Sequence, residues 1–242
     1  MTGGVVVTGA GGAIGSAIVR RLQRAGHEVL PVDVHAGTVG DLPITELDIT
    51  DEAAVEQYFS RFSSGLAGVV NAAGINVRAA ALDCTKEVFQ QNIAVNLLGT
   101  FLVCREAARA MGDGGGSICN VASIVSFVGT DRQQVAYAAS KGALATVTKT
   151  LALELGPKGI RVNGVHPGYI YGDSVEWYFN HLAEKRGITF QEVYDEVADE
   201  TCLGYLPHSE EIAGTVVFFA SPLAKPVTGQ MIGVNAGHWF NG

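Results

Sequence analysis

With 24 acidic and 16 basic side chains in 242 residues, the chain has a formal net charge of −8 and a pI near 5.2. That excludes nucleic-acid backbone binding, which needs a basic face. At 48% apolar and 17% charged residues, it is a folded chain sized for one large α/β domain or two small ones. Cys84, Cys104, Cys119 and Cys202 have no metal-ligand spacing and read as thiols of a reducing compartment, so a cytoplasmic protein with no metal is expected. No uncharged apolar run reaches the roughly 18 residues of a membrane span.

Taken in order, residues 4–8 (Gly-Val-Val-Val-Thr) form a β-branched run typical of a strand buried on both faces. A first strand beginning at Gly4 leaves no room for a signal peptide. The run leads into Gly9-Ala10-Gly11-Gly12-Ala13-Ile14-Gly15 and then a helix with Ile14, Ala17, Ile18 and Leu22 on one face. Strand, glycine-rich turn and helix together make a pyrophosphate site, because glycines admit close backbone approach and the helix N-terminus offers N–H groups. The second strand, 28–33, ends at Asp33, where an acid can accept hydrogen bonds from the ribose hydroxyls of an adenosine. Pro31 interrupts it, and a local bulge is expected there.

Further strands are expected over 44–48, 66–70, 117–121, 159–165 and 230–234. Helices are expected from Asp51 to about Phe62, over 85–111, over 137–155 and over 209–220. The fourth strand ends at Asn71-Ala72-Ala73-Gly74, a second small-residue turn facing the same crevice. This alternation, without a break in composition, gives one doubly wound parallel sheet of about seven strands.

The rest of the chain is arranged around Ala136-Tyr137-Ala138-Ala139-Ser140-Lys141-Gly142. On a helix, Tyr137 and Lys141 share one face, with Cβ atoms roughly 5–6 Å apart. A free tyrosine titrates near 10, too high for proton transfer at neutral pH. A fixed ammonium favours the phenolate, and lowering the pKa by about three units takes roughly 4 kcal/mol.

With these segments placed, the sequence resembles a short-chain dehydrogenase/reductase of the classical type, a Rossmann-type α/β fold, from Val5 to Gly237. The matching segments are 8–15, Asn71 to Gly74, Asn96, Ser123, Tyr137 to Lys141, Pro167-Gly168, and Thr228-Gly229-Gln230 with Val234-Asn235-Ala236-Gly237. NAD is the expected cofactor, because Asp33 would repel a 2′-phosphate and neither 9–15 nor 34–37 offers an arginine or lysine to receive one. The resemblance implies Tyr137 as general acid/base. Lys141 would lower the tyrosine pKa and bind the nicotinamide ribose. Ser123 would hold the substrate oxygen, and Asn96 a water of the proton relay. It also implies cofactor contacts at Gly9, Gly11, Gly12, Ala13, Ile14, Gly15, Asp33, Val34, Asp48 (towards adenine), Ile49, Asn71, Ala72, Ala73, Gly74, Pro167, Gly168 and Ile170. Val125 and Tyr169 join Ser123 and Tyr137 on the substrate side. A homotetramer, or a dimer, is implied on the helices 85–111 and 136–156, which carry small residues such as Ala107, Ala108, Ala110, Ala138, Ala139, Ala143 and Ala145.

The departures are specific. Ala13 replaces the middle glycine of T-G-x-x-x-G-x-G, so that Gly9, Gly12 and Gly15 match the extended family's spacing. Gly172 stands where P-G-x-x-x-T has threonine, and Asn235-Ala236 where Asp-Gly is common. The segment 171–206 is too long for an ordinary connection. It reads as two amphipathic helices, with apolar faces at Val175, Tyr178, Phe179, Leu182 and at Phe190, Val193, Tyr194, Val197, parted by Gly187. Lying over the crevice, it would be a substrate lid with Trp177, Tyr178 and His181 facing the substrate; His166 reads as a structural residue.

The reading is reversible hydride transfer between NAD and a small-molecule secondary alcohol or ketone. Two alternatives stand beside it: an epimerase or dehydratase with retained nicotinamide, and a dinucleotide-binding sensor without turnover.

Overall fold

The structure, a computed structural model, describes residues 3–62, 65–129 and 132–240, apart from the side chains of Asp173 and Ser174. Seven strands run parallel: β1 (Gly4–Thr8), β2 (Val29–Asp33), β4 (Leu42–Glu46), β5 (Leu66–Asn71), β6 (Gly116–Val121), β7 (Ile160–Pro167) and β8 (Met231–Val234). β3 (Gly37–Val39) is added antiparallel to β4, giving the order β3-β4-β2-β1-β5-β6-β7-β8. The parallel sheet is as expected; the edge hairpin is not. It turns at Gly40, whose φ of +59° lets the chain reverse. Three residues with two exposed leave too short a pattern to read from sequence.

Successive side chains of a strand point to opposite faces, so β1 feeds two cores. Val5 and Val7 pack with Ile18, Leu22, Ile212 and Phe219 of α1 (Ala13–Arg24) and α8 (Ser209–Ala220). Val6 packs with Phe59, Leu102 and Leu151 of α2 (Glu52–Phe59), α4 (Thr100–Met111) and α5 (Val135–Leu155). Ala107, Ala108 and Ala110 lie in this second core, so α4 uses its small residues to approach the sheet of its own chain.

Pro31 needs no bulge: β1 and β2 pair in unbroken register. Val5 donates to Glu28 O and Ala10 to Val32 O, so the even residues of β2 serve β1. Pro31 belongs to the alternate set facing β4, whose ladder starts only at Val32, and its missing N–H removes no ladder bond.

The expected helix 85–111 is broken into α3 (Lys86–Ile93), a π-helical stretch Ala94–Gly99, and α4. Widened turns of this kind occur often at functional sites, and Asn96 sits in this one. The third strand ends at Glu46, short of Asp48, and α2 ends at Phe59, short of Phe62. The long segment after β7 does form two helices, α6 (Asp173–Arg186) and α7 (Phe190–Asp199). Gly187 parts them at φ +66°, and Phe179, Ala183, Val193 and Leu206 give them a small core of their own. Among the described residues, no helix is long and apolar enough to cross a membrane and no group of side chains could hold a metal ion.

Candidate active site

The first edge of the site is the turn between β1 and α1. Gly9 has φ +65°, and a Cβ there would stand 2.6 Å from the Ala73 backbone; one on Gly15 would stand 2.0 Å from Gly9 O. Gly12 N–H closes the turn on Gly9 O at 3.1 Å. No side chain caps α1 and no acid lies in its first turn, which opens at Ala13 and Ile14. The result is a cradle of free N–H groups that fits a pyrophosphate.

Asp33 at the end of β2 faces this cradle: its Oδ2 accepts from Gly11 N–H at 2.9 Å and its Oδ1 from His35 N–H at 3.4 Å. Val34 beside it is 54% exposed, open to a ligand. Asp48 uses Oδ1 on the Thr50 amide and hydroxyl at 2.8 and 2.7 Å, and Ile49 is buried against Gly99.

Past β5, Ala73 N–H donates to Thr8 Oγ at 3.2 Å, which locks the second small-residue turn to β1. Asn71 turns inward, contrary to its expected cofactor role. Its Nδ2 donates to Asn120 Oδ1 at 2.8 Å, Asn120 donates to Thr148, and Asn71 Oδ1 is buried without a partner. It ties β5 to β6 and α5, while Ala72, Ala73 and Gly74 stay at the turn. Gly74 makes room for two polar side chains: a Cβ there would lie 3.1 Å from Asn96 Oδ1 and 3.3 Å from Lys141 Nζ.

The sequence's four polar residues converge here. Tyr137 and Ser123 line the same cavity wall, and the serine hydroxyl pulls the tyrosine pKa down. Ser123 follows β6, and its carbonyl meets His166 Nδ1 at 2.8 Å, so His166 steadies the serine's backbone from β7. Lys141 is buried, donates from Nζ to Val121 O at 2.8 Å, and lies 5.9 Å from the centre of the Tyr137 ring. Burial pulls its pKa down to about 8. Burial also raises the pKa of Tyr137, against the opposing pull of the Ser123 hydrogen bond and the Arg78 charge. In the protein alone, then, desolvation outweighs the expected lowering of the tyrosine pKa.

Asn96 uses its side-chain amide to brace its neighbours. Its Oδ1 accepts from Ile75 N–H at 2.8 Å, and its Nδ2 donates to Ile75 O at 2.8 Å and Ser140 Oγ at 3.0 Å. Both amide protons are engaged, so the side chain positions backbone rather than donating to a relay water.

A cavity of about 510 Å³ opens above Ser123 and Tyr137. Val125, Gly168, Tyr169, Ile170 and Tyr178 line it as expected. Trp177 and His181 do not. They stack on each other at 5.8 Å on the outer side of α6, with Trp177 69% exposed. The inward face of α6 is the one carrying Val175, Tyr178 and Phe179. The sequence reading missed Asn76, Arg78, Arg132, Glu200, His238 and Trp239, which also line the cavity. The only sequence signal for Arg78 was a cation just past the small-residue turn.

A parallel sheet with a glycine cradle at its switch point, and a Ser–Tyr–Lys set beside it, defines a nicotinamide-dependent oxidoreductase. Residues 9–238 match the family model described as enoyl-(acyl carrier protein) reductase. The chain is 33% identical to the human (3R)-3-hydroxyacyl-CoA dehydrogenase over 256 aligned positions, 96% of this chain and 94% of that protein. Among solved structures it resembles sorbitol-6-phosphate 2-dehydrogenase from Erwinia amylovora, with a TM-score of 0.89, 28% identity, and coverage of 98% of this chain and 100% of that one. It also resembles an actinorhodin polyketide ketoreductase solved with NADPH, with a TM-score of 0.84, 25% identity, and coverage of 98% and 97%. The chain belongs to the short-chain dehydrogenase/reductase family and is an oxidoreductase of alcohol or ketone substrates.

Proposed function

We propose that the chain is an NAD-dependent dehydrogenase/reductase interconverting a secondary alcohol and a ketone, with Tyr137 as its general acid/base. The observation that carries this is that Ser123 and Tyr137 line one cavity together, with the buried Lys141 one helical turn from the tyrosine. When bound, the nicotinamide ring accepts or gives the hydride. In oxidation, the Tyr137 phenolate takes the hydroxyl proton. Ser123 Oγ holds the substrate oxygen in place, and Lys141 stabilises the phenolate and holds a ribose. Asn96 and His166 act at one remove, fixing the backbone of Ile75 and Ser123.

Asp33 supports NAD over NADP. Its carboxylate would repel a 2′-phosphate, and residues 34–37 (Val, His, Ala, Gly) supply no lysine or arginine to receive one. The helix pair α6–α7 serves as a lid over the cavity, entered from β7 through Gly172, and excludes water during hydride transfer. Self-association as a tetramer or dimer through α4 and α5 rests on the family resemblance and on a groove along Phe101, Ala143, Val147 and Leu151.

The test is reduction of NAD over a panel of secondary alcohols. Turnover of at least one supports the reading. Tight NAD binding without turnover favours a sensor, and copurified nicotinamide without net reduction favours an epimerase or dehydratase.

A further inference from the structure

Residues 75–79 run extended from Gly74 along the wall of the cavity, and every second residue is pinned. Ile75 exchanges two hydrogen bonds with the Asn96 side chain. Val77 does the same with Asn92: its N–H donates to Oδ1 at 3.3 Å and its carbonyl accepts from Nδ2 at 3.1 Å. Ala79 N–H donates to Gln133 O at 3.0 Å. Asn92 and Asn96 are one helical turn apart, so two amides clamp the strand-like segment from below. The period of two then gives the alternate residues, Asn76 and Arg78, to the cavity.

Arg78 is therefore a cation on a rigid mount. Among the described residues no carboxylate pairs with it, and its charge acts on Tyr137, which puts it at the reacting end of the cavity. Arg132 stands on the opposite side of the bridge between Ala79 and Gln134, with its guanidinium 4.4 Å from the centre of the Tyr169 ring. Among the described residues, the one acid lining the cavity is Glu200, which meets His238 Nε2 at 3.1 Å. Two more polar atoms of the lining, Tyr169 OH and His238 Nδ1, are buried without a partner. In a chain of net charge −8, Arg78 puts a positive charge in the wall it shares with Tyr137. A guanidinium in a concave wall selects carboxylate or phosphate oxygens, which it can hold through two parallel bonds.

Resting on the alcohol/ketone reading above, we propose that the substrate is anionic: a hydroxy or oxo compound whose carboxylate or phosphate is held by Arg78. Arg132 lines the same cavity, its guanidinium stacked over the Tyr169 ring.

The test has two arms. In the first, kcat/KM with NADH is measured for 2-, 3- and 4-oxo carboxylates, each beside its primary amide, and for dihydroxyacetone phosphate beside dihydroxyacetone. The anionic member of at least one pair is expected to win by roughly 10- to 100-fold. Arg78→Gln is expected to bring that ratio close to one, and Arg78→Lys to keep part of it; which pair responds separates carboxylate from phosphate. Equal or better use of the neutral member in every pair, or an unchanged ratio in Arg78→Gln, overturns the proposal. In the second arm, NADH-loaded wild type and Arg78→Gln are titrated calorimetrically with malonate and with inorganic phosphate. Binding by wild type that Arg78→Gln loses supports the proposal even if no pair is turned over. Turnover of the amides with no calorimetric response to either anion overturns it while leaving the alcohol/ketone reading intact.

Discussion

Lys141 and Tyr137 lie one turn apart on α5, yet the ammonium donates to Val121 O at 2.8 Å and stands 5.9 Å from the centre of the tyrosine ring. The pair is held apart and ready, with the cation anchored on the sheet. A lysine buried in this way costs the fold stability while it is charged. Its pKa falls from 10.5 to about 8 on folding. Between those values the unfolded chain binds more protons than the folded one, so this group's contribution to stability rises with pH there. Below about pH 8 the folded state bears a cost of roughly 3 kcal/mol at most. Lys141→Met is expected to lose turnover and yet be more stable than wild type near pH 7, with the gap closing towards pH 10. Loss of the Val121 bond offsets part of the gain. Urea midpoints at the two pH values check this, and a less stable variant near pH 7 would refute it.

Tyr137→Phe removes only the proton-transferring oxygen. Turnover is expected to fall by about 10²–10⁴-fold with the NAD dissociation constant nearly unchanged. Retention of more than a tenth of kcat would sink the general acid/base assignment. Ser123→Ala removes the hydroxyl whose pull opposes the upward shift of the tyrosine pKa. The acid limb of its kcat/KM profile for alcohol oxidation should therefore move to higher pH, not lower.

Asn96→Ala leaves the Ile75 N–H and C=O without partners, and each buried bond of this kind is worth about 1–3 kcal/mol when broken from one side. A drop in Tm of several degrees is expected, with kcat falling too because the lining segment 75–79 loosens. Asn96→Asp can still accept from Ile75 N–H but cannot donate to its carbonyl, so it should lie between alanine and wild type. A variant with wild-type Tm and kcat would show that the clamp is idle.

Asp33 sets the cofactor preference through charge. Wild type should favour NAD over NADP in kcat/KM, and Asp33→Ser combined with Val34→Arg should narrow or reverse that ratio. A wild-type preference for NADP would overturn the argument.

On the lid, Tyr178→Ala should raise KM or alter substrate preference, since Tyr178 lines the cavity. Trp177→Ala should leave kcat/KM within about twofold, because this side chain is stacked on His181 outside. The reverse result would mean that α6 turns its other face to the substrate. Light scattering at micromolar protein should find an oligomer; monomer alone would remove α4 and α5 as an association surface.

The sequence by itself determined the sheet, the glycine cradle, the Ser123–Tyr137–Lys141 set and the two helices of the long segment. Each is written locally, as a β-branched run, a glycine where a Cβ has no room, or a one-turn spacing on a helix. The edge strand β3 was too short to leave a pattern, and the break at Asn96 was hidden inside a continuous helical periodicity. Only the tertiary structure decided what the polar groups face. Asn71 turned out to bond the side chain of Asn120, Asn96 to brace the backbone of Ile75, Trp177 and His181 to lie outside, and Arg78 to stand in the wall beside Tyr137. Those assignments depend on pairings between segments far apart in the chain. The physical reason is that a side chain's chemistry is fixed by its type, but its partners and its desolvation are fixed by packing.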